Sequence, residues 1–311
     1  MPLEPIAIKG PNGNIPLPQK YVLGVTSERG DAGSSWLRAL PALVQTYCDK
    51  WNLTLDGSLM HGYIGLVVPV HHAEEAYVLK VSWIDDETKD EAMALRSWGG
   101  NGAVKLIRSD DKAGVMLLES LSETALSSVP VDEAVTIAAS LLRRLAIPAP
   151  SGMLRLPEYI ASLGRLMDER WERLGQPFAK KYLTTVHDEI SRLASSSVSL
   201  IANQDLHYDN ILVGSREPWL VIDPKVVAGD PEFGVAPLLW RRPDHADNPA
   251  GLSKRFAQIV HVARLDEDRA YGWTLIRTVE YWLLALNLGL THDLARCELI
   301  TTWIMASHYP S

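Results

Sequence analysis

Three polar side chains in one short island of β-prone sequence have the types and spacing that phosphoryl transfer needs. The run Asn203-Gln204-Asp205-Leu206-His207-Tyr208-Asp209-Asn210 sets an Asp five positions before an Asn, and the Asn opens the apolar segment Ile211-Leu212-Val213. A second acid, Asp223, ends the next apolar run, Trp219-Leu220-Val221-Ile222. Moving a phosphoryl group onto a hydroxyl takes a carboxylate that orients the hydroxyl and accepts its proton. It also takes hard oxygen ligands for Mg2+, which an Asn amide oxygen and a second carboxylate supply. A loop–strand–turn–strand unit brings Asp205, Asn210 and Asp223 to one end of a hairpin. An acidic surface turn is the plain alternative for an Asp and an Asn alone. The added Asp223 and the flanking strands favour the chemistry.

A second candidate is Lys80 in Tyr77-Val78-Leu79-Lys80-Val81, a lysine flanked by apolar residues on a strand. It is placed to reach the phosphates of a nucleotide, and it then needs a carboxylate to fix it. Glu91 on the following helix is the first choice, and Glu87, one turn earlier on much the same face, is the other. Residues 57–62 carry Gly57 and Gly62, which would let backbone amides approach phosphate oxygens; an ordinary hairpin explains them equally well. Glu119-Ser120-Leu121 is the expected hinge, whose backbone would hydrogen-bond a purine edge. No Walker A sequence is present, which argues against a P-loop fold. His71 and His72 are adjacent and point apart on any regular element, so they read as surface residues rather than metal ligands.

The island around Asp205 resembles the catalytic loop of the aminoglycoside phosphotransferases, usually HGDLHxxN. The resemblance implies Asp205 as catalytic base, with Asn210 and the Asp223 of Ile222-Asp223-Pro224 as metal ligands. Gly229-Asp230-Pro231 is similar to the GDP stretch that follows the metal Asp. Within the family, the streptomycin 6-phosphotransferase and hydroxyurea phosphotransferase group is the most similar. The residues that carry this are Glu91-Ala92-Met93-Ala94-Leu95-Arg96-Ser97-Trp98, Gly102-Ala103-Val104, Leu142-Arg143-Arg144-Leu145 and Val221-Ile222-Asp223-Pro224-Lys225. The similarity runs from about residue 35 to the C-terminus. It implies ATP and Mg2+ as cofactors and an aminoglycoside such as streptomycin as acceptor. A cellular sugar, amino sugar or hydroxyurea-like compound is the alternative acceptor. The chain departs from the pattern at Asn203-Gln204, where the family has His-Gly, and this keeps open a nucleotide-binding module without turnover. Glu232, Asp244, His245 and Asp247, with Trp240, Arg241 and Arg242, follow the metal segment and are candidates to line the acceptor site; a solvated loop explains them as well.

These residues need elements to hold them. Residues 1–20 are rich in Pro and Gly and read as an irregular arm. Apolar residues at helical spacing predict a helix over 36–51, kinked or bounded at Pro41. Strands are expected at 52–56, 63–70, 76–82, 103–107 and 115–119, with a helix over 85–98 stopped by Gly99-Gly100. From Pro130 the pattern turns helical, over 131–145, 158–174 and 179–194, and again over 251–307 beyond the island. The expected fold class is α+β: a small β-rich lobe (residues 1–121, nucleotide-binding) and a larger helical lobe (122–311, catalytic and acceptor sites) in a bilobal, protein-kinase-like arrangement.

Composition sets the outer limits. The chain has 311 residues, 47% of them hydrophobic, enough for a sizeable core. A formal net charge of -8 argues against a nucleic-acid partner and suits a cationic small-molecule acceptor. Only Cys48 and Cys297 are present, far apart, so neither a disulfide framework nor a zinc site is expected. No signal peptide and no membrane-spanning run is legible, which makes the cytoplasm the expected compartment.

Overall fold

The computed structural model describes residues 6–11, 13–62 and 64–309. Tyr63, the expected first residue of a strand, and residues 1–5 of the expected arm lie outside them. The chain divides into two compact units, one of residues 1–100 and 104–121, the other of residues 101–103 and 122–311.

The first unit opens with an antiparallel hairpin, β1 (Ala7–Gly10) and β2 (Gly13–Pro16), with Ile8 opposite Ile15. The reading of an irregular arm is thus corrected: Ile8 is buried and anchors the hairpin in the core. Helix α1 (Gln19–Trp51) is far longer than the 36–51 expected. Its first half was masked by Gly24, Gly30, Gly33 and Ser residues of low helical propensity. Gly30, at φ 55° and ψ −133°, breaks the run, whereas Pro41 does not end it. Leu37, Leu40, Val44, Tyr47, Cys48 and Trp51 form its buried stripe.

Six strands follow: β3 (Thr54–Leu55), β4 (Met60–His61), β5 (Gly65–His72), β6 (Glu75–Ser82), β7 (Leu106–Asp110) and β8 (Val115–Glu119), with helix α2 (Glu91–Trp98) between β6 and β7. The sheet order is β3-β5-β6-β8-β7, all neighbours antiparallel, with β4 also paired to β5. Leu66, Val68, Val70, Leu79, Val81, Val115 and Leu117 cluster with the apolar face of α1. Strand alternation therefore turns Lys80, between Leu79 and Val81, to the opposite face. Helix α2 starts at Glu91 rather than 85. The Asp85 carboxylate accepts the backbone N–H groups of Glu87 and Thr88, at 3.0 and 3.1 Å, and closes a turn that competes with the helix. The strand expected at 103–107 begins only at Leu106, because Ala103 instead bridges Val221.

The second unit contains α3 (Val131–Leu145), α4 (Leu156–Arg173), α5 (Lys180–Leu193), β9 (Leu200–Asn203), β10 (Ile211–Leu212), β11 (Leu220–Val221), β12 (Val226–Gly229), α6 (Ala236–Trp240), α7 (Pro249–Ala263), α8 (Glu267–Leu288) and α9 (Thr291–His308). Two two-stranded ribbons, β9 with β12 and β10 with β11, carry the island predicted to do chemistry. Helix α8 is buried on nearly every side from Trp273 to Leu283 and packs against α4, α5 and α9. Gly272 faces α5 at close range: a Cβ there would lie 2.2 Å from the Glu189 carboxylate and 2.9 Å from a Leu193 methyl. Among the described residues no helix is long and apolar enough to cross a membrane.

Candidate active site

In the first unit, the Lys80 ammonium lies 2.6 and 2.8 Å from the two carboxylate oxygens of Glu91. Both residues are buried, at 6% and 2% exposure, so the pair sits where screening by water is weak. The sheet supplies the lysine through the register Val67–Lys80–Met116, and the first turn of α2 supplies the glutamate. Of the two carboxylates open from sequence, Glu91 is the one placed on Lys80. Residues 57–59 lead irregularly into β4, which pairs antiparallel with β5, and the Gly62 N–H donates to the Gly65 carbonyl at 2.9 Å. Glu119 ends β8, where its side chain accepts the Lys105 N–H at 2.7 Å, and Leu121 closes this unit in irregular backbone. His71 and His72 are on the edge of exposure with ring nitrogens against backbone carbonyls, and among the described residues no cluster of three or more His, Cys, Asp or Glu is arranged to hold a metal.

In the second unit, Asp205, Asn210 and Asp223 gather around the two ribbons. The Asn203–Val226 pairing ends one ribbon, and the Gln204 N–H continues it onto the Lys225 carbonyl at 2.9 Å. The chain then turns through Asp205 into a single 3-10 turn, Tyr208–Asn210, and enters β10. Ile211 faces Val221 in the second ribbon, and the Ile222 N–H donates to the Asn210 carbonyl at 2.9 Å. Asn210 and the residue before Asp223 are therefore locked together at one ribbon end. Asp223 itself has φ +49°, a left-handed conformation that Asp tolerates better than most side chains.

The amide of Asn210 donates its Nδ2 to the Asp205 carbonyl at 3.1 Å. That commits the NH2 end to the protein and leaves the oxygen end as the acceptor. An amide oxygen and a carboxylate are hard donors, and a two-residue protein set suits Mg2+, which keeps most of its water. The donor chemistry thus fits the ion. The Asp205 carboxylate is half-buried, with Lys225 Nζ and His207 Nε2 each 3.9 Å from one of its oxygens, beyond hydrogen-bond length. His207 caps the short turn: its Nδ1 accepts the Asp209 N–H at 3.3 Å. Burial pushes its pKa below the ordinary 6.5, while Asp205 pulls the other way. A neutral ring with a bare Nδ1 is what the cap requires.

Asn203 occupies the place of the family histidine, and its Oδ1 accepts the Asp205 N–H at 3.1 Å. The Pro231–Gly234 turn comes close beneath it: a Cβ on Gly234 would lie 2.6 Å from the Asn203 carbonyl. Asp230 is an anchor of the fold, its carboxylate taken by Ser196, Trp273 and Arg269. Glu232, a candidate for lining an acceptor site, is buried and accepts the Asp266 N–H at 3.0 Å, so it holds the start of α8 instead. Its pattern, an acid in a loop, gave no hint of burial. Asp244 is paired with Arg242 at 2.8 Å and held below the usual carboxylate range by that hydrogen bond. His245 and Asp247 are exposed, and Trp240 stacks on Tyr281 at 4.8 Å. Lys225 and Arg277 were given no role from sequence. The first sits two residues past Asp223; the second is a lone charge inside the apolar stretch Trp273-Thr274-Leu275-Ile276-Arg277, a signal of a buried polar task.

Comparison with known proteins identifies the family. Residues 50–287 match the family model described as aminoglycoside/hydroxyurea antibiotic resistance kinase. The chain belongs to this family. Membership makes it a phosphotransferase with a hydroxyl group as acceptor. A streptomycin 6-kinase from Streptomyces griseus is 35% identical over 286 residues, 89% of this chain and 93% of that one. A hydroxyurea phosphotransferase from Kitasatospora aureofaciens is 36% identical over 266 residues, 84% of this chain and 77% of that one. The fold is that of the protein-kinase-like small-molecule kinases. A thermostable mutant of an aminoglycoside phosphotransferase, solved with ADP and hygromycin B, superposes with a TM-score of 0.59 at 16% identity, over 83% of this chain and 97% of that one.

Proposed function

We propose that this protein transfers the γ-phosphoryl group of Mg-ATP to a hydroxyl of an aminoglycoside or aminocyclitol such as streptomycin, in the cytoplasm. The observation that carries the reading is the second unit's constellation: Asp205 held at a ribbon end beside Asn210, with Asp223 one residue beyond the backbone lock. Asp205 orients the acceptor hydroxyl and takes its proton as the oxygen bonds to the γ-phosphorus. The bond from that phosphorus to the bridging oxygen breaks, leaving a phosphate monoester and ADP. Asn210 and Asp223 would hold Mg2+, which when bound neutralises charge on the phosphates. Lys80, oriented by Glu91, would grip the nucleotide phosphates, and the backbone of 119–121 would receive the base. The first unit is in this reading the nucleotide-binding lobe, and residues 122–311 carry catalysis and the acceptor.

The test is ADP release from Mg-ATP by the purified protein with and without streptomycin. Strong stimulation that vanishes in Asp205→Ala, with ATP affinity nearly unchanged, is the expected result. Equal loss of turnover and ATP affinity in that variant would make Asp205 structural and end the assigned role. A hydroxyurea-like acceptor is the second reading, because the two named relatives are within one percentage point in identity. ATP binding with no stimulation by streptomycin and clear stimulation by hydroxyurea would select it.

A further inference from the structure

Catalysis by positioning places demands on the two peptide groups that flank Asp205, because their planes fix where its carboxylate points. Side chains from three elements hold them. In the peptide joining Gln204 to Asp205, the N–H donates to Asn203 Oδ1 at 3.1 Å, and the carbonyl accepts from Arg277 Nη2 at 3.2 Å. In the next peptide the Asp205 carbonyl accepts from Asn210 Nδ2 at 3.1 Å. Two of the three anchors lie within five residues of Asp205. Arg277 comes from far away in sequence, on α8.

Its guanidinium has neighbours on several sides. The guanidinium lies over the Phe233 ring at 4.9 Å and the Trp240 ring at 5.8 Å. One helical turn on, Glu280 lies 3.6 Å away, and Glu280 in turn meets Arg170 of α4 at 3.4 Å. Arg277 is 9% exposed, on a stretch of helix that is buried on nearly every side. Burying a guanidinium is costly, and satisfying one carbonyl does not require a charge. A planar fork locked between rings and a carboxylate does, however, supply a donor in a fixed direction.

We propose that Arg277 is a positioning residue for the phosphoryl-transfer step, holding the Gln204–Asp205 peptide so that Asp205 faces the acceptor. The proposal rests on Asp205 being the base. Its test uses the full chain with Arg277→Lys and Arg277→Met. Two readouts are taken: amide hydrogen exchange across residues 203–210, and steady-state kinetics with Mg-ATP and streptomycin. Arg277→Met should lower kcat about 100-fold with KM for ATP within about twofold, the scale of a misplacement near 1 Å. Exchange at residues 204–206 should rise at least about tenfold, while α5 and α9 stay as protected as in the unmutated protein. Arg277→Lys, which keeps a donor and a charge, should recover about tenfold of the lost kcat. Unchanged exchange and kcat would overturn the proposal. So would a uniform rise in exchange with kcat and KM changed together, the mark of a general packing role. If Arg277→Met does not fold, a local rise of exchange in Arg277→Lys with a reduced kcat and an unchanged KM decides in favour, and none decides against. If the unmutated protein ignores streptomycin, the acceptor reading fails separately. The rate is then read as Asp205-dependent hydrolysis of ATP to ADP and phosphate, and the exchange data stand unchanged.

Discussion

The Lys80–Glu91 pair can be taken apart in a way that separates its electrostatics from the nucleotide-binding role proposed for it. Both groups are almost out of water, and the ammonium engages both carboxylate oxygens, at 2.6 and 2.8 Å. Removing one partner from such a pair costs about 3–5 kcal/mol, because the other is left charged in a poor solvent. A buried ammonium that has lost its Glu91 partner can escape by losing its proton. For a side chain with an ordinary pKa of about 10.4, that costs about 4.6 kcal/mol at pH 7 and caps the penalty. Glu91→Leu should therefore destabilise the protein by about 3–4.6 kcal/mol at neutral pH. Where the folded variant sheds a proton that the unfolded chain keeps, its stability rises with pH, by about 1.4 kcal/mol per unit up to pH 10. The double variant Lys80→Met with Glu91→Leu removes both charges and should lie within about 1 kcal/mol of the starting protein. Urea unfolding of the starting protein, the two single variants and the double variant at pH 7 and pH 9 gives the coupling. The double variant, although folded, should still lose about 100-fold or more in kcat/KM for ATP if Lys80 grips the phosphates as proposed. If Glu91→Leu alone costs under about 1 kcal/mol, or if the double variant costs the sum of the two singles, the reasoning is wrong and the pair is not a desolvated one.

Two more outcomes follow from single residues. Asp223 at φ +49° needs a side chain that tolerates left-handed backbone. Asp223→Asn should keep stability within about 0.5 kcal/mol and abolish Mg2+-dependent ADP release, whereas Asp223→Ala should cost about 1–2 kcal/mol besides; equal urea midpoints for the two would refute the strain argument. Buried His207 has a pKa pushed below 6.5, so as pH falls through that value the unfolded chain gains a proton that the folded one refuses, and stability is lost. His207→Asn keeps a capping acceptor without titrating and should flatten the urea-midpoint profile between pH 5 and 7 (a slope difference of at most about 1.4 kcal/mol per pH unit); parallel profiles would exclude His207 as the source.

What could be read from the sequence was what local chemistry writes down. Asp205, Asn210 and Asp223 could be expected near one another because polar residues at the ends of β-prone runs meet when those runs pair as ribbons, and α3 was bounded by Pro130 and the Pro148 region. The failures share a different cause. The first half of α1 is held by the burial of Tyr21 and Val25, against its glycines, and such tertiary support leaves no periodic trace. The start of α2 was misplaced because the Asp85 side chain outcompetes the helix for its own backbone. Glu232 and Asp244 look alike on paper, two acids in a loop, yet one holds the start of α8 from within and the other pairs with an arginine at the surface. Only the packing of distant elements distinguishes them.

The replacement of the family His-Gly by Asn203-Gln204 acquires a physical meaning from the same contacts. What the loop requires at this position is an acceptor for the Asp205 N–H, and the Asn amide oxygen meets it at 3.1 Å. An amide does this without titrating, where an imidazole in the same place would lose its acceptor on protonation. The Gln204 backbone is engaged at both ends, by Lys225 and by Arg277, so its side chain is not needed to define the turn. The constraint that matters is therefore the direction of two peptide planes rather than the identity of the two residues. A loop held by Asn203, Asn210 and Arg277 meets that constraint with side chains from three separate elements.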